Sequence, residues 1–358
     1  MSGGPPTPAV TVVALLPAHN EEASLPSALA ALRQQTRRPD HVIVIADNCT
    51  DGTVEVARAH QVEVYETVGN LHKKAGGLNQ VLELLLPGLA DDDVVLVQDA
   101  DSFLDPGFIE AGLKAYAGNV GGVGGVFRGR IDSGTRWGRF VEWLQANEYA
   151  RYELDIRRQR GKVLVLTGTA TLLRVGVLRE VVRARADGRL PGEPRVYDTR
   201  VLTEDNELSF ALMKLGYILR SPSGCTLTTE TMQSWRALAN QRVRWKRGAL
   251  ENLFDYGWTR VTRPYWGRQA LGAIGVLITA AYLFSLVYGA LHGMRVHGFW
   301  LGVTVLFMAE RVVTVRRRGK LAMAVAATLV VEMLYDMFLQ GVQATAYLHA
   351  ATGRERRW

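Results

Sequence analysis

Apolar residues in the first hundred positions fall into short blocks, and the blocks switch between two periods. Thr11 to Leu16 is an unbroken apolar run that predicts a strand stopped by Pro17. His41 to Ala46 predicts a second strand through Val42, Ile43, Val44 and Ile45, Val62 to Tyr65 a third, and Val94 to Val97 a fourth. Valine-rich runs of this kind belong to strands covered on both faces. Between them the apolar spacing becomes helical. Leu25, Ala28, Leu29 and Leu32 share one face behind Ser24, a residue able to cap a helix. Val54, Val56 and Ala57 form a second helix, and Lys73 to Asn79 opens a third that runs to Leu86. Strands alternating with helices across short loops predict an α/β chain with a Rossmann-like, doubly wound and mostly parallel sheet.

Further on the pattern loosens. Gly134 to Gly161 is polar-aromatic, with Trp137, Phe140, Trp143, Leu144, Tyr149 and Tyr152 at roughly helical spacing. These aromatics either pack or rest at a bilayer interface. Val163 to Leu166 predicts another strand leading into Thr167-Gly168-Thr169-Ala170, and Arg183 to Arg195, with Pro191 and Pro194, a surface loop. A helix over Leu208, Ala211, Leu212 and Leu215 follows Thr203-Glu204-Asp205. Gln233 to Leu253 is basic and amphipathic. Ala270 to Leu291 then carries no charge over ~22 residues, enough to cross a bilayer core. Phe299 to Val315 and Leu321 to Ala351 are further candidate spans, the first bearing Glu310 and Arg311, the second Glu332 and Asp336. The expected organisation is a flexible leader at 1–9, a catalytic domain at 10–232, interfacial amphipathic helices at 233–268, two to three transmembrane helices within 269–351, and a basic tail at 352–358.

Composition sharpens the membrane reading. The chain has 358 residues, 48% of them hydrophobic, and a net charge of +7. The apolar excess gathers after Gln269, and the arginines crowd beside it with no nucleic-acid-binding motif in sight, so a bilayer is the expected partner and nucleic acid is not. The cluster Arg316-Arg317-Arg318-Gly319-Lys320 should stay on the cytoplasmic side. Two cysteines, Cys49 and Cys225, lack metal-type spacing and fit a reducing compartment.

The candidate chemistry sits where strands end. Asp99 and Asp101 close the Val94 strand at i, i+2, one side of an extended backbone, where paired carboxylates suit a Mg²⁺ or Mn²⁺ ion carried in with a diphosphate. An acidic turn capping a helix near Pro106 is the plain alternative. Thr203 or Asp205 is either a helix cap or, for Asp205, a general base. Gln241, Arg244 and Trp245 fall on one helical face, offering an amide, a guanidinium fork and an indole plane to a diphosphate and a sugar ring. The loop Pro17-Ala18-His19-Asn20-Glu21-Glu22 has no glycine fingerprint and the chain has no P-loop, which argues against dinucleotide chemistry.

Taken together these motifs resemble the family-2 inverting glycosyltransferases of GT-A fold, most of all the membrane-integrated branch with cellulose, chitin and hyaluronan synthases and ceramide glucosyltransferase. Pro17-Ala18-His19-Asn20-Glu21 is similar to the family's Pro-x-Tyr-Asn-Glu, with His19 replacing the aromatic. Asp47 stands where the family reads uracil, Lys74-Ala75-Gly76-Gly77-Leu78-Asn79 resembles its Lys-Ala-Gly-x-x-Asn loop, and Asp99-Ala100-Asp101 its metal motif. Thr203-Glu204-Asp205 is similar to the catalytic-base motif and Gln241 to Trp245 to Gln-x-x-Arg-Trp.

The resemblance implies a UDP-sugar donor, with Pro17, His19, Glu21, Asp47, Lys74, Asp99, Gln241 and Arg244 on the donor side. It implies Asp101 with Asp99 at a Mn²⁺ or Mg²⁺ ion, Asp205 as base, and Trp245, Thr169 and Glu204 on the acceptor side. A single in-line displacement would invert the anomeric carbon. Processive synthases usually carry helices before the catalytic domain as well, and two or three helices do not enclose a polymer conduit. The expected acceptor is therefore a membrane lipid or short glycan at the plasma membrane, with the catalytic domain cytoplasmic. The alternatives are a polysaccharide synthase working as a homo-oligomer and a non-catalytic sugar-nucleotide sensor; Glu332 and Asp336 would line a conduit between protomers or contact a polar lipid headgroup.

Overall fold

The computed structural model describes residues 10–293 and 298–353. The leader at 1–9, part of the hairpin between the first two expected spans (294–297) and the tail arginines Arg354, Arg356 and Arg357 lie outside the described residues. The chain divides into two compact units, one reaching to Phe127 and resuming at Gln159–Thr229, the other made of Arg128–Arg158 and the chain from Glu230 onward.

The first unit begins β1 (Val12–Ala18), α1 (Leu25–Arg33), β2 (His41–Ala46), α2 (Thr53–Ala59), β3 (Glu63–Glu66), α3 (Lys73–Leu85) and β4 (Val94–Gln98). A short β5 (Phe103–Leu104), α4 (Phe108–Lys114), β6 (Val120–Gly124) and β7 (Val126–Gly129) carry it to the unit boundary. The boundary lies within β7. The second unit contributes α5 (Arg136–Arg158), after which β8 (Ala170–Arg174), α6 (Val175–Ala186), α7 (Glu204–Lys214), β9 (Ile218–Arg220) and β10 (Thr226–Thr229) complete the first.

Seven strands form the main sheet in the order β3-β2-β1-β4-β8-β6-β9, and β5-β10-β7 make a smaller one. Pairings among β3, β2, β1 and β4 are parallel, β8 runs antiparallel to both β4 and β6, and β6 pairs parallel with β9, so the sheet is mostly parallel. Val12, Leu15, Val95 and Leu96 are fully buried, each side chain worth ~1.5–3 kcal/mol in surface removed from water.

Three local expectations are corrected. β1 does not stop at Pro17. Its pairing with β4 ends at Leu15–Val97, so the residues beyond have only β2 beside them, where Pro17 pairs with Ile45 and a missing N–H is tolerated. The strand expected at Val163–Leu166 is irregular backbone, and the strand is β8 instead. Leu166 there packs where Cβ atoms on Gly122 and Gly124 would stand, filling space that the glycines of β6 leave. The loop expected from Arg183 starts later, since α6 continues to Ala186. Ser24 and Thr203 hold N-cap positions, yet neither side chain makes a capping hydrogen bond.

The second unit continues with α8 (Trp235–Tyr256), α9 (Arg263–His292), α10 (Gly298–Val315), α11 (Lys320–Thr328) and α12 (Val330–Ala351). The long amphipathic α5 groups here because Val141 and Leu144 pack with Leu238 of α8 and Tyr335 of α12. Among the described residues α9 alone is long and apolar enough to cross a membrane, with α11 and α12 adding a second span only if that pair, bent by 73°, counts as one. The bend falls at Leu329, which adopts a left-handed conformation with φ 58°. α10, expected to span, does not meet the same standard. Glu332 does not line a conduit: it is buried, 2.7 Å from Arg151 and 3.8 Å from Arg311. Asp336 pairs with Arg311.

Candidate active site

Parallel strands leave their C-terminal ends on one edge. The order β2-β1-β4 makes the gap between β1 and β4 the point where successive connections diverge, which is where open α/β sheets hold ligands. His19, Asn20 and Glu21 follow β1, Asp47 and Asn48 follow β2, and Asp99 and Asp101 follow β4. Asn20 and Asn48 are left-handed, with φ of 59° and 50°, a conformation that asparagine tolerates better than most residues. Lys73, also left-handed at φ 50°, starts α3.

Asp47 is buried and strongly held. Its Oδ1 accepts from Asn70 Nδ2 at 2.7 Å, Thr67 Oγ1 at 2.8 Å and Asn48 Nδ2 at 3.0 Å, while its backbone carbonyl lies 2.6 Å from His19 Nδ1. Asn70 reaches Asp47 only because residue 76 is glycine. A Cβ there would stand 2.0 Å from Asn70 Oδ1. The Glu21 backbone N–H donates to Thr53 Oγ1, and Pro17 is fixed in β1 behind this loop.

On the other side of the gap, Lys74 reaches from the first turn of α3 to Asp99 Oδ1 at 2.5 Å and to the Gly168 carbonyl at 3.0 Å, with Glu204 at 3.6 Å. Gly168 N–H in turn donates to Asp205 Oδ2 at 2.8 Å. One residue, Gly168, thus joins the ammonium beside Asp99 to the carboxylate of Asp205. The resemblance puts Lys74 and Asp99 together on the donor side, and the structure sets the Lys74 ammonium against Asp99 and Gly168. Thr169 accepts the Asp99 N–H through its carbonyl, and its hydroxyl lies 3.0 Å from that of Thr167.

The charges explain the titration. Burial opposes the Lys74 ammonium, but Asp99 and Glu204 outweigh burial and hold its pKa above the usual lysine range. Burial pushes Asp99 up to about 6, against Lys74 and with help from Asp101. Burial, then repulsion from Glu204, pushes Asp205 up to about 6. Asp205 is no cap: it sits inside the first turn of α7, bonded to Gly168 and Asn206 backbone amides. α7 is fixed by an ion pair with no exposure to water, Arg185–Glu207 at 2.6 Å.

Asp99 and Asp101 supply hard oxygen ligands at one strand end, and among the described residues no group of three metal-type side chains is present. Two carboxylates without a third ligand fit a divalent ion that completes its shell with substrate phosphates and water. Burial is the main cause of the rise at Asp99, and the smaller repulsion from Asp101 is the kind a cation relieves.

Gln241, Arg244 and Trp245 belong to α8 in the second unit. There Gln241 accepts from Arg242, and the Arg242 guanidinium lies 4.5 Å from the Trp245 ring centre and 3.0 Å from Glu148. The structure brings Asp47, Lys74, Asp99, Asp101, Thr169, Glu204 and Asp205 to the strand-end edge of the first unit. Sequence reasoning missed Thr67, Asn70 and Tyr197. Their partners lie 20 to 118 residues away, with no local pattern to mark them.

Residues 13–182 match the model described as Glycosyl transferase family 2. The chain is 25% identical over 324 residues to the probable glycosyltransferase YdaM of Bacillus subtilis, covering 85% of this chain and 73% of that one. It is 24% identical to the poly-beta-1,6-N-acetyl-D-glucosamine synthase of Staphylococcus aureus over 75% of this chain, and spans 63% of that synthase's length. Its fold is similar to that of a mannosyltransferase from Pyrobaculum calidifontis solved with GDP-Man and Mn²⁺, with a TM-score of 0.57 at 18% identity over 98% of this chain and 90% of that one. The chain is an enzyme, a glycosyltransferase of GT-A-like fold whose residues 13–182 match the family 2 model.

Proposed function

We propose that the protein transfers a sugar from a UDP-sugar to a hydroxyl of a membrane-associated lipid or glycan, with inversion at the anomeric carbon. The observation that carries this reading is the Lys74–Gly168–Asp205 link, because it sets the strand-end carboxylates and a candidate base on two sides of one residue. Asp205 takes the proton of the attacking hydroxyl. Asp101 and Asp99 would hold Mn²⁺ or Mg²⁺, and the ion's chemistry there is to neutralise charge growing on the departing diphosphate. Pro17, His19 and Glu21 shape the nucleotide side. Thr169 and Glu204 shape the acceptor side, and Gln241, Arg244 and Trp245 supply a further diphosphate- and sugar-binding face.

Asp47 supports uracil as the base. Three donors already crowd its Oδ1, which leaves Oδ2 for a single imide N–H. The membrane setting is supported by α9, where Trp258 and Trp266 precede, and Tyr288 closes, an exposed apolar stretch. From Trp266 to Tyr288 a helix rises ~33 Å, close to the thickness of a bilayer core. The arginines at 316–318 favour a cytoplasmic catalytic unit at the plasma membrane. The alternative product, a polysaccharide made by an oligomer, is favoured by the synthase among the relatives.

Membranes holding the protein, given a panel of labelled UDP- and GDP-sugars, should consume a UDP-sugar, stop with EDTA and resume with Mn²⁺ or Mg²⁺. Consumption of GDP-sugars alone overturns the uracil assignment, and full activity in chelator with metal shown absent overturns the ion. Label that partitions into organic solvent as a discrete species supports a lipid acceptor, whereas long, hydrolase-sensitive polymer in water supports the synthase.

A further inference from the structure

Tyr197 is 5% exposed, lies on the segment leading into α7, and was assigned no role by any motif. Its backbone is clamped at both groups by one side chain. Asn79 Nδ2 donates to the Tyr197 carbonyl at 2.8 Å, and Tyr197 N–H donates to Asn79 Oδ1 at 2.9 Å. The ring helps to line a nook of ≈20 Å³ together with Lys74, Gly168, Glu204, Asp205 and Leu208. That volume takes a group about the size of a water molecule.

The Tyr197 hydroxyl makes no hydrogen bond among the described residues, and in a residue otherwise buried it keeps access to water. A hydroxyl that meets only water, on a residue lining the same nook as Asp205, is free to exchange that water for a ligand oxygen. Burial holds the phenol protonated far above neutral pH, so it acts as a donor. Lys74 has only protons to give, and Asp205 already accepts from two amides.

We infer that Tyr197 is a substrate-contacting residue, its phenol donating to the oxygen of a sugar hydroxyl seated in the nook next to Asp205. That oxygen accepts from Tyr197 while its own proton points to Asp205. No covalent bond forms at Tyr197. The Asn79 clamp holds the donor in position before substrate arrives, as preorganised sites require.

The inference rests on the transferase reading, and the test separates the two. Full-length wild type and Tyr197→Phe are compared in native membranes with whichever UDP-sugar the wild type consumes, and UDP affinity is measured by calorimetry on the purified chain. Tyr197→Phe should lower kcat about tenfold, leave the UDP dissociation constant within twofold, and divert consumed donor from transfer to hydrolysis. Tyr197→His, which restores a ring donor, should recover part of the lost transfer. Wild-type kcat and an unchanged transfer-to-hydrolysis ratio in Tyr197→Phe overturn the inference. So does loss of UDP binding together with activity in both variants, which would make Tyr197 scaffold. A wild type that neither binds UDP nor consumes any sugar nucleotide instead overturns the transferase reading itself.

Discussion

The two units use buried charge in opposite ways. In the helical unit charges are spent on one another: Glu332 on Arg151 and Arg311, Asp336 on Arg311, Glu148 on Arg242 and the Tyr335 hydroxyl. In the sheet unit Arg185 and Glu207 close on each other likewise, but the groups at the strand ends keep spare capacity. Asp47 presents an oxygen beyond its three donors, Tyr197 a hydroxyl without an acceptor, and Asp205 a carboxylate raised toward neutrality. Burial and charge alone do not distinguish a site from a strut. Unspent bonding capacity aimed at shared space does.

The comparison breaks most sharply at Asp205. Asp205→Asn should lose ~10²–10⁴ in transfer rate while UDP affinity, read by calorimetry, stays within a few-fold. Transfer near the wild-type rate would return Asp205 to a purely structural role.

On the helical side the expected effect is on stability. Glu332→Leu leaves Arg151 without its carboxylate, while Arg311 keeps Asp336, and should cost ~3–5 kcal/mol, seen as a large drop in the unfolding midpoint in detergent. Adding Arg151→Met should recover part of it. If the single variant unfolds at the wild-type temperature, the pairing contributes nothing.

Smallest and broadest is the pH dependence. Asp205 works as base only when ionised, so its contribution is full above its raised pKa and lost as pH falls through about 6. Glu204 and Lys74 face it, one raising and one lowering that value, with Tyr197 and Asp99 in the same field. kcat should fall about tenfold per pH unit below 6. A flat profile down to pH 4 would remove proton transfer to Asp205 from the slow step.

What was legible in the sequence follows from locality. β1, β2 and β4 announce themselves because four or more consecutive apolar residues admit few other readings, and carboxylates at their ends are visible in the same stretch. β6 is hidden by its glycines. A Cβ at Gly121 would come within 2.7 Å of Tyr217, and one at Gly122 within 2.5 Å of Leu166, so the strand is small where its neighbours are large. β8 is short and depends on antiparallel partners on both sides. Within the candidate site, the acidic residues could be read from their spacing. The residues that hold them could not: Thr67 and Asn70 at Asp47, Gly168 at Asp205, and Arg185 at Glu207 meet their partners through the fold alone.

Gly76 carries a consequence for anyone wishing to make this enzyme hardier. A glycine inside a helix is ordinarily an invitation, since alanine there gains ~0.5–1 kcal/mol. In α3 that route is closed, because the added methyl would strike Asn70 and push it off Asp47. Heat tolerance gained at this position would be exchanged for the Asn70–Asp47 hydrogen bond on which the proposed uracil contact rests. Stabilising substitutions belong instead at exposed Gly88, where a Cβ meets no atom within 4 Å.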